Sequence, residues 1–190
     1  EMEYMGGLRK YMPITHIAFL ICCLSISGII PFSGFWSKDE ILTSCNMFSP
    51  TIGWIMTIVA GMTAFYMFRL YYGIFWGTEA KRNFTPHEAP ATMTIPLIVL
   101  SAITVFAGFI PFGHFISADG HAFTSHLVTS TAVISSVVAV FSIVLATIFY
   151  ARSKQPIPDA LERKFSNLHT AAYHRFYIDE IYQFITHKII

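Results

Sequence analysis

The sequence predicts an all-α membrane protein with four transmembrane passes, the first a discontinuous helix, followed by an amphipathic lateral helix. Three observations carry that prediction. Of 190 residues, 54% are hydrophobic and only 12% charged, and the mean hydropathy is +0.57, outside the range of ordinary soluble domains. The apolar residues form long runs without the alternation of strands, and a helix satisfies its own backbone inside a bilayer. Lysine and arginine are confined to every second connection.

Residues 1–13 form a lead-in ending in the basic pair Arg9 and Lys10. The first pass takes residues 14–48, which as one straight helix would reach roughly 50 Å at 1.5 Å per residue. A bilayer core is about 30 Å thick, so the run must break. Gly28, Pro31 and Gly34 supply the break, because proline removes a ladder donor and glycine tolerates unusual φ/ψ. Ser37 and Glu40 have the spacing of a capping box, which would start a second half-helix at Ser37. If this link lies inside the membrane, Lys38 is a cation at the positive end of a helix dipole. Desolvation and the dipole then oppose its charge while Asp39 and Glu40 favour it, the balance a proton-transfer group requires. The competing reading ends the span at Trp36 and leaves Ser37-Lys38-Asp39-Glu40 as a solvated cap.

The second pass, residues 51–77, carries a single charge, Arg69, with Trp54, Tyr71, Tyr72 and Trp76 towards its ends like an interfacial belt. The third, 95–112, has Thr94 as cap, Pro96 in its tolerant first turn and Pro111 as its stop. The fourth, 127–151, is uncharged. Its Ser135, Ala139, Ser142 and Ala146 form a small-residue stripe that lets a neighbouring helix approach. Arg9 and Lys10 precede the first pass, Lys81 and Arg82 follow the second, and Arg152, Lys154, Arg163 and Lys164 follow the fourth. The connections 49–50 and 113–126 contain neither lysine nor arginine. Four passes therefore put every basic connection on one side, the cytoplasmic one by the positive-inside rule. Counting Lys38 as a loop charge would break the pattern. Residues 152–172 read as a cytoplasmic linker. Residues 173–190 read as the start of an amphipathic helix, with Ile178, Ile181, Ile185 and Ile189 on one face and Arg175, Asp179, Gln183 and His187 on the other. Such a helix lies on a membrane or on other helices.

Several residue types exclude function classes. The net charge of +1, with no basic cluster among aromatics, argues against nucleic acid. Cys22, Cys23 and Cys45 lack metal-ligand spacing. No flavin or dinucleotide fingerprint, iron–sulfur spacing or catalytic triad occurs; neither a catalytic residue, a metal site nor a cofactor site is predicted, and the stretch itself should do no redox chemistry. Arg69 either snorkels to the interface or pairs with a carboxylate inside the bundle. His16, near a helix start, reads as structural or interfacial. His114, Asp119, His121 and His126 lack metal-site register and read as a solvated loop.

Met5-Gly6-Gly7-Leu8-Arg9-Lys10, Gly34-Phe35-Trp36-Ser37-Lys38-Asp39-Glu40-Ile41-Leu42 and Thr63-Ala64-Phe65-Tyr66-Met67-Phe68-Arg69 together resemble the antiporter-like subunit L of respiratory complex I, the NADH–quinone oxidoreductase. Similar proteins occur in the plastid NADH-dehydrogenase-like complex and in multi-subunit Na⁺/H⁺ antiporters. The resemblance implies that Lys38 stands at a broken helix on a proton pathway, with Asp39 receiving or tuning the proton and Glu40, Arg69 and His16 as possible supports. It implies partners among the other membrane-arm subunits and the lipid bilayer, with NAD, flavin, iron–sulfur clusters and quinone held by other subunits. The expected location is the cell inner membrane. Tyr177-Ile178-Asp179-Glu180-Ile181-Tyr182 looks like the start of the family's lateral helix. With Glu1 first and Lys188-Ile189-Ile190 last, the chain reads as an internal fragment of the family protein's later part. The alternatives are a component of a multi-subunit Na⁺/H⁺ antiporter and a structural membrane scaffold, in which Lys38 is merely a cap.

Overall fold

The computed structural model describes residues 5–77, 79, 85–110, 129–151 and 163–188. Among them all regular structure is helical. The chain divides into two units, Glu1–Ser153 and Lys154–Ile190. The first contains α1 (Pro13–Ser27), α2 (Ser33–Phe48), α3 (Pro50–Phe75), α4 (Ala91–Phe106) and α5 (Thr129–Tyr150). The second contains α6 (Ser166–Tyr173) and α7 (Ile178–Lys188).

Pro13 opens α1 at its first position, where its missing N–H costs nothing. Met12 offers no capping side chain; the free amides are taken by Glu88 instead. Its Oε2 accepts from Ile14 N at 2.8 Å and its Oε1 from Thr15 Oγ1 at 2.6 Å. The helix ends at Gly28, whose φ of 79° is left-handed. Gly28 N donates to Ser25 O and Ile29 N to Leu24 O, the paired bonds of a Schellman motif. A turn closed by Phe32 N on Ile29 O leads into α2.

α2 begins at Ser33, with Phe32 as an uncapped N-cap, and not at Ser37 as the capping-box spacing predicted. The reason lies nine residues upstream of Gly34: Ser25 Oγ accepts from Gly34 N at 3.1 Å and contacts Ser33 Oγ at 3.4 Å. This hydroxyl does the capping, so Ser37 falls inside the helix and its Oγ turns back to Gly34 O. A Cβ at Gly34 would overlap the Ser25 carbonyl oxygen; glycine is what permits the approach.

Ser49 is extended and Pro50 restarts the chain as α3, the longest helix, 26 residues or about 39 Å. It packs against α1, α2 and α5. Gly61 faces Val138 and Ser142, and Ala139 and Ala146 of the small-residue stripe are buried. Backbones there come close enough for dispersion to hold helices together in lipid. At one end of the bundle Cys23, Phe68, Tyr71, Phe75 and Ala146 form a buried cluster.

α4 starts at Ala91 rather than at 95, after an extended Pro90 whose carbonyl accepts from Met93 N and Thr94 N. Thr94 is therefore buried inside the helix and not its cap. Pro96 is interior, at the cost of one ladder bond. A 3-10 turn, Ala107–Phe109, extends α4; Pro111 and the connection beyond lie outside the described residues. α3, α4 with this turn (Ala91–Phe109) and α5 (Ser130–Tyr150) are long and apolar enough to cross a membrane, and α1 is a shorter apolar helix. Only 28%, 11% and 11% of their most apolar windows are buried, so the bundle turns apolar side chains outward, as lipid or neighbouring helices demand.

In the second unit the expected single helix from residue 173 is interrupted. Arg175, Phe176 and Tyr177 all have positive φ, 51°, 54° and 57°, and α7 starts only at Ile178. Arg175 reaches across the turn to Asp179 at 2.7 Å. His174 stacks on Tyr177 with centroids 5.2 Å apart. The amphipathic pattern is carried by α7 alone.

Candidate functional site

Lys38 is the sixth residue of α2, in its second turn. Its aliphatic stem crosses Gly28, where an added Cβ would lie 3.0 Å from Lys38 Cδ. Beyond the glycine, Nζ donates to Ile26 O at 3.3 Å, Ser27 O at 3.4 Å and Ala60 O at 3.2 Å. Two of these carbonyls belong to the last turn of α1, which has no intrahelical donors and carries the negative end of that helix's dipole. The ammonium thus sits at the negative end of α1. The expectation that it faces only the positive end of α2 is corrected: the side chain is long enough to leave its own helix start and reach the preceding helix's end. Three N–H groups meet three acceptors, a geometry that uses every proton of the charged form.

Asp39 follows in sequence but is turned about 100° around the helix, and its side chain does not pair with Lys38. It is 1% exposed, and Ser135 of α5 is its neighbouring hydroxyl. Ser135 Oγ gives its proton to Ala132 O at 3.1 Å. Neither carboxylate oxygen of Asp39 has a hydrogen-bond partner among the described residues. The same holds for Ser27 Oγ, Trp36 Nε1 and Thr43 Oγ1. All such groups among the described residues therefore lie between Ser27 and Thr43, around the helix break. Buried polar groups cost about 1–3 kcal/mol each when unpaired, so this region calls for a proton, water or a further chain. Glu40 is half-buried on α2, and its carbonyl accepts from Ser44 Oγ.

The structure does not bring Arg69 or His16 to this site. Arg69 is exposed and its guanidinium lies over the Tyr150 ring at 5.4 Å. Tyr150 stands fifteen residues beyond Ser135, about 22 Å along α5. Among the described residues it makes no ion pair with a carboxylate. His16 Nε2 contacts Tyr71 Oη at 2.7 Å, and the rings stack at 5.5 Å. Trp76 Nε1 donates to the same Oη at 3.3 Å, leaving the tyrosine proton for His16. Ile26, whose carbonyl holds Lys38, is ten residues further, about 15 Å along α1. The described residues hold no group of three or more histidine, cysteine or acidic side chains arranged for a metal. His114, Asp119, His121 and His126, like Lys81, Arg82, Arg152 and Lys154, lie outside the described residues.

Sequence reasoning found Lys38 and Asp39 by their charge in an apolar run. It missed the three backbone acceptors, which no side-chain pattern announces, and Glu88, which meets its partners across 74 positions. Ser135 was visible only as a small residue in a stripe.

A family model described as "NADH:quinone oxidoreductase/Mrp antiporter, TM" matches residues 1–65. The NAD(P)H-quinone oxidoreductase chain 5 of Picosynechococcus sp. is 36% identical over 218 aligned residues, covering 96% of this chain and 32% of that protein. The chain 5 protein of Synechocystis sp. is 36% identical over 233 residues, 96% of this chain and 34% of its own length. The chloroplastic subunit 5 of Chaetosphaeridium globosum is 50% identical over 117 residues, 58% of this chain and 18% of that protein. The chain spans about a third of the length of the curated relatives that it matches end to end.

Proposed function

Because the chain is homologous over nearly its whole length to the subunit L/5 family of complex I, we propose that it forms part of a proton-translocating, antiporter-like membrane subunit. Lys38 and Asp39 are its proton-transfer residues. The observation that carries this reading is the ammonium of Lys38 held by three carbonyls at the end of α1 and on α3, beside a buried carboxyl whose oxygens lack partners among the described residues. A lysine serving only as a helix cap would not need to cross to another helix. Nor would a cap be accompanied by a buried acid. Lys38 binds a proton on the α1 side and releases it when a competing charge draws the side chain off the carbonyls. Asp39, aimed at α5, takes up or tunes charge on the other face of α2.

In this reading α1 and α2, fifteen and sixteen residues long, together make one discontinuous pass. Broken backbone at membrane depth is tolerated where protein or a water-lined cavity surrounds it. With α3, α4 and α5 that gives four passes, and Arg9, Lys10 and the basic residues after α3 and α5 fall on the cytoplasmic side. α7 lies along other helices or the membrane surface as the beginning of a lateral brace. The whole protein works within a complex whose other subunits bind NADH, flavin, iron–sulfur clusters and quinone.

The description of the matching family model includes antiporters, so a sodium-coupled transporter is the second reading; the relatives named above are all oxidoreductase subunits, which favours the first. The test is NADH-driven acidification by vesicles holding the full complex in sodium-free medium. Proton movement under those conditions supports complex I. A strict requirement for sodium, without response to NADH, would assign the chain to the antiporters.

A further inference from the structure

At the end of the bundle opposite the Asp39–Ser135 contact, the segment before α1 folds against the ends of α3 and α5. Gly7 N donates to Trp76 O at 3.0 Å, and a groove of about 280 Å³ opens between the two, bordered by Arg9, Lys10, Trp76, Glu79 and Ala151. That volume is several times the ~30 Å³ share of one water molecule, enough for a phosphate with part of its ester. Arg9 is not free to wander: its guanidinium lies over the Trp76 ring at 4.2 Å, a cation–π contact that holds the fork in place. Lys10 stands 4.0 Å from Glu79, both well exposed, a weak pair. Two cations against one carboxylate leave the groove positive.

The surroundings continue in the same sense. Arg69, Tyr72 and Trp76 are three and four residues apart and share one face of α3. Tyr72 Oη bonds Thr147 Oγ1 at 2.9 Å, and Arg69 lies over Tyr150, so this face runs along the seam with α5. Tyrosine, tryptophan and arginine at one level of an apolar bundle mark a membrane–water interface. Below it the outward surfaces of α3 and α5 are apolar, with Tyr66, Met62, Phe141 and Ile148 exposed.

The geometry points to a binding site for the headgroup of an anionic phospholipid in this groove, with the phosphate on Arg9 and Lys10 and the acyl chains along α3 and α5. Charge complementarity supplies the anion, and continuity with the apolar seam supplies the lipid. A free phosphate would use the cations but leave the seam unexplained. The site is independent of proton transfer at Lys38.

The experiment uses the full complex in nanodiscs containing phosphatidylglycerol that carries a diazirine near its headgroup. Mass spectrometry then reads the yield of crosslinks to residues 5–12 and 70–79. The expected result is enrichment over the same probe on phosphatidylcholine. Arg9→Gln with Lys10→Gln should lower the yield about 25-fold, since ~1 kcal/mol per basic residue at a membrane surface is about fivefold each. Glu79→Gln, which removes the competing carboxylate and leaves both cations, should raise it severalfold even if the double variant assembles poorly. Equal labelling by the two lipids, or no change in Glu79→Gln, overturns the proposal. Suppression of labelling by excess inorganic phosphate would assign the groove to the free anion and overturn it as well.

Discussion

Replacing Glu88 by alanine removes the acceptors for Ile14 N, Thr15 N and Thr15 Oγ1 and exposes the first turn of α1. Loss of a capping acceptor costs about 0.5–2 kcal/mol. If α1 opens locally from that end, the same energy appears as roughly two- to thirtyfold faster hydrogen exchange at the Ile14 and Thr15 amides. The perturbation matters beyond the cap, because the far end of α1 carries the carbonyls that hold Lys38. The pH dependence has a definite sign. Burial raises the Glu88 carboxyl, but the hydrogen bonds from Thr15, Ile14 and Ala89 outweigh it and leave the group below its ordinary value of 4.5. A group depressed in the folded state stabilises fully above its unfolded pKa and loses that contribution as pH falls through the folded one. The cap should therefore be intact at neutral pH and fail only on acidification below about 4.5. The assay is hydrogen exchange with mass spectrometry on the nanodisc-embedded complex, reading peptides that begin at residue 13. Exchange at Ile14 and Thr15 that is unchanged in Glu88→Ala at neutral pH would refute the reasoning.

Gly34→Ala places a Cβ onto the Ser25 carbonyl and should reduce the abundance of assembled complex several-fold on blue-native gels, whereas Gly77→Ala, with open space around it, is limited to the strain of its left-handed backbone and should assemble better. Single cysteines at positions 81 and 121 should label from opposite faces of oriented vesicles; labelling of both from one face would contradict four passes. Ile185→Asp puts a carboxylate on the apolar face of α7 and should weaken assembly more than Asp179→Ala, which only frees Arg175. Equal losses would argue against docking through that face.

The helical class and three of the long apolar helices were legible because hydrophobic length is a strong signal that needs no partner. Helix α5 runs from Thr129 to Tyr150, close to the predicted 127–151, because an uncharged run has few competing ends. Boundaries went wrong where distant groups did the capping. Ser37 and Glu40 had the right spacing, yet Ser25 had already satisfied the Gly34 amide. Thr94 looked like a cap, but extended Pro90 starts α4. The break in the second unit was illegible for a different reason: Arg175, Phe176 and Tyr177 adopt left-handed φ without the glycine that would announce it. At the site, Lys38 could be found by its charge. Its acceptors could not, since Ile26, Ser27 and Ala60 contribute only carbonyl oxygens.

The central claim is that Lys38 moves a proton. Methionine in its place keeps the apolar stem and loses all three bonds to α1 and α3; arginine keeps the charge but holds its proton throughout the accessible range. The decisive measurement is the number of protons translocated per NADH oxidised by vesicles containing the full complex, normalised to the amount of assembled enzyme. Both Lys38→Met and Lys38→Arg are predicted to lower that ratio clearly while the complex still assembles. A well-assembled Lys38→Met complex with an undiminished ratio would contradict the account and return Lys38 to the role of a helix cap.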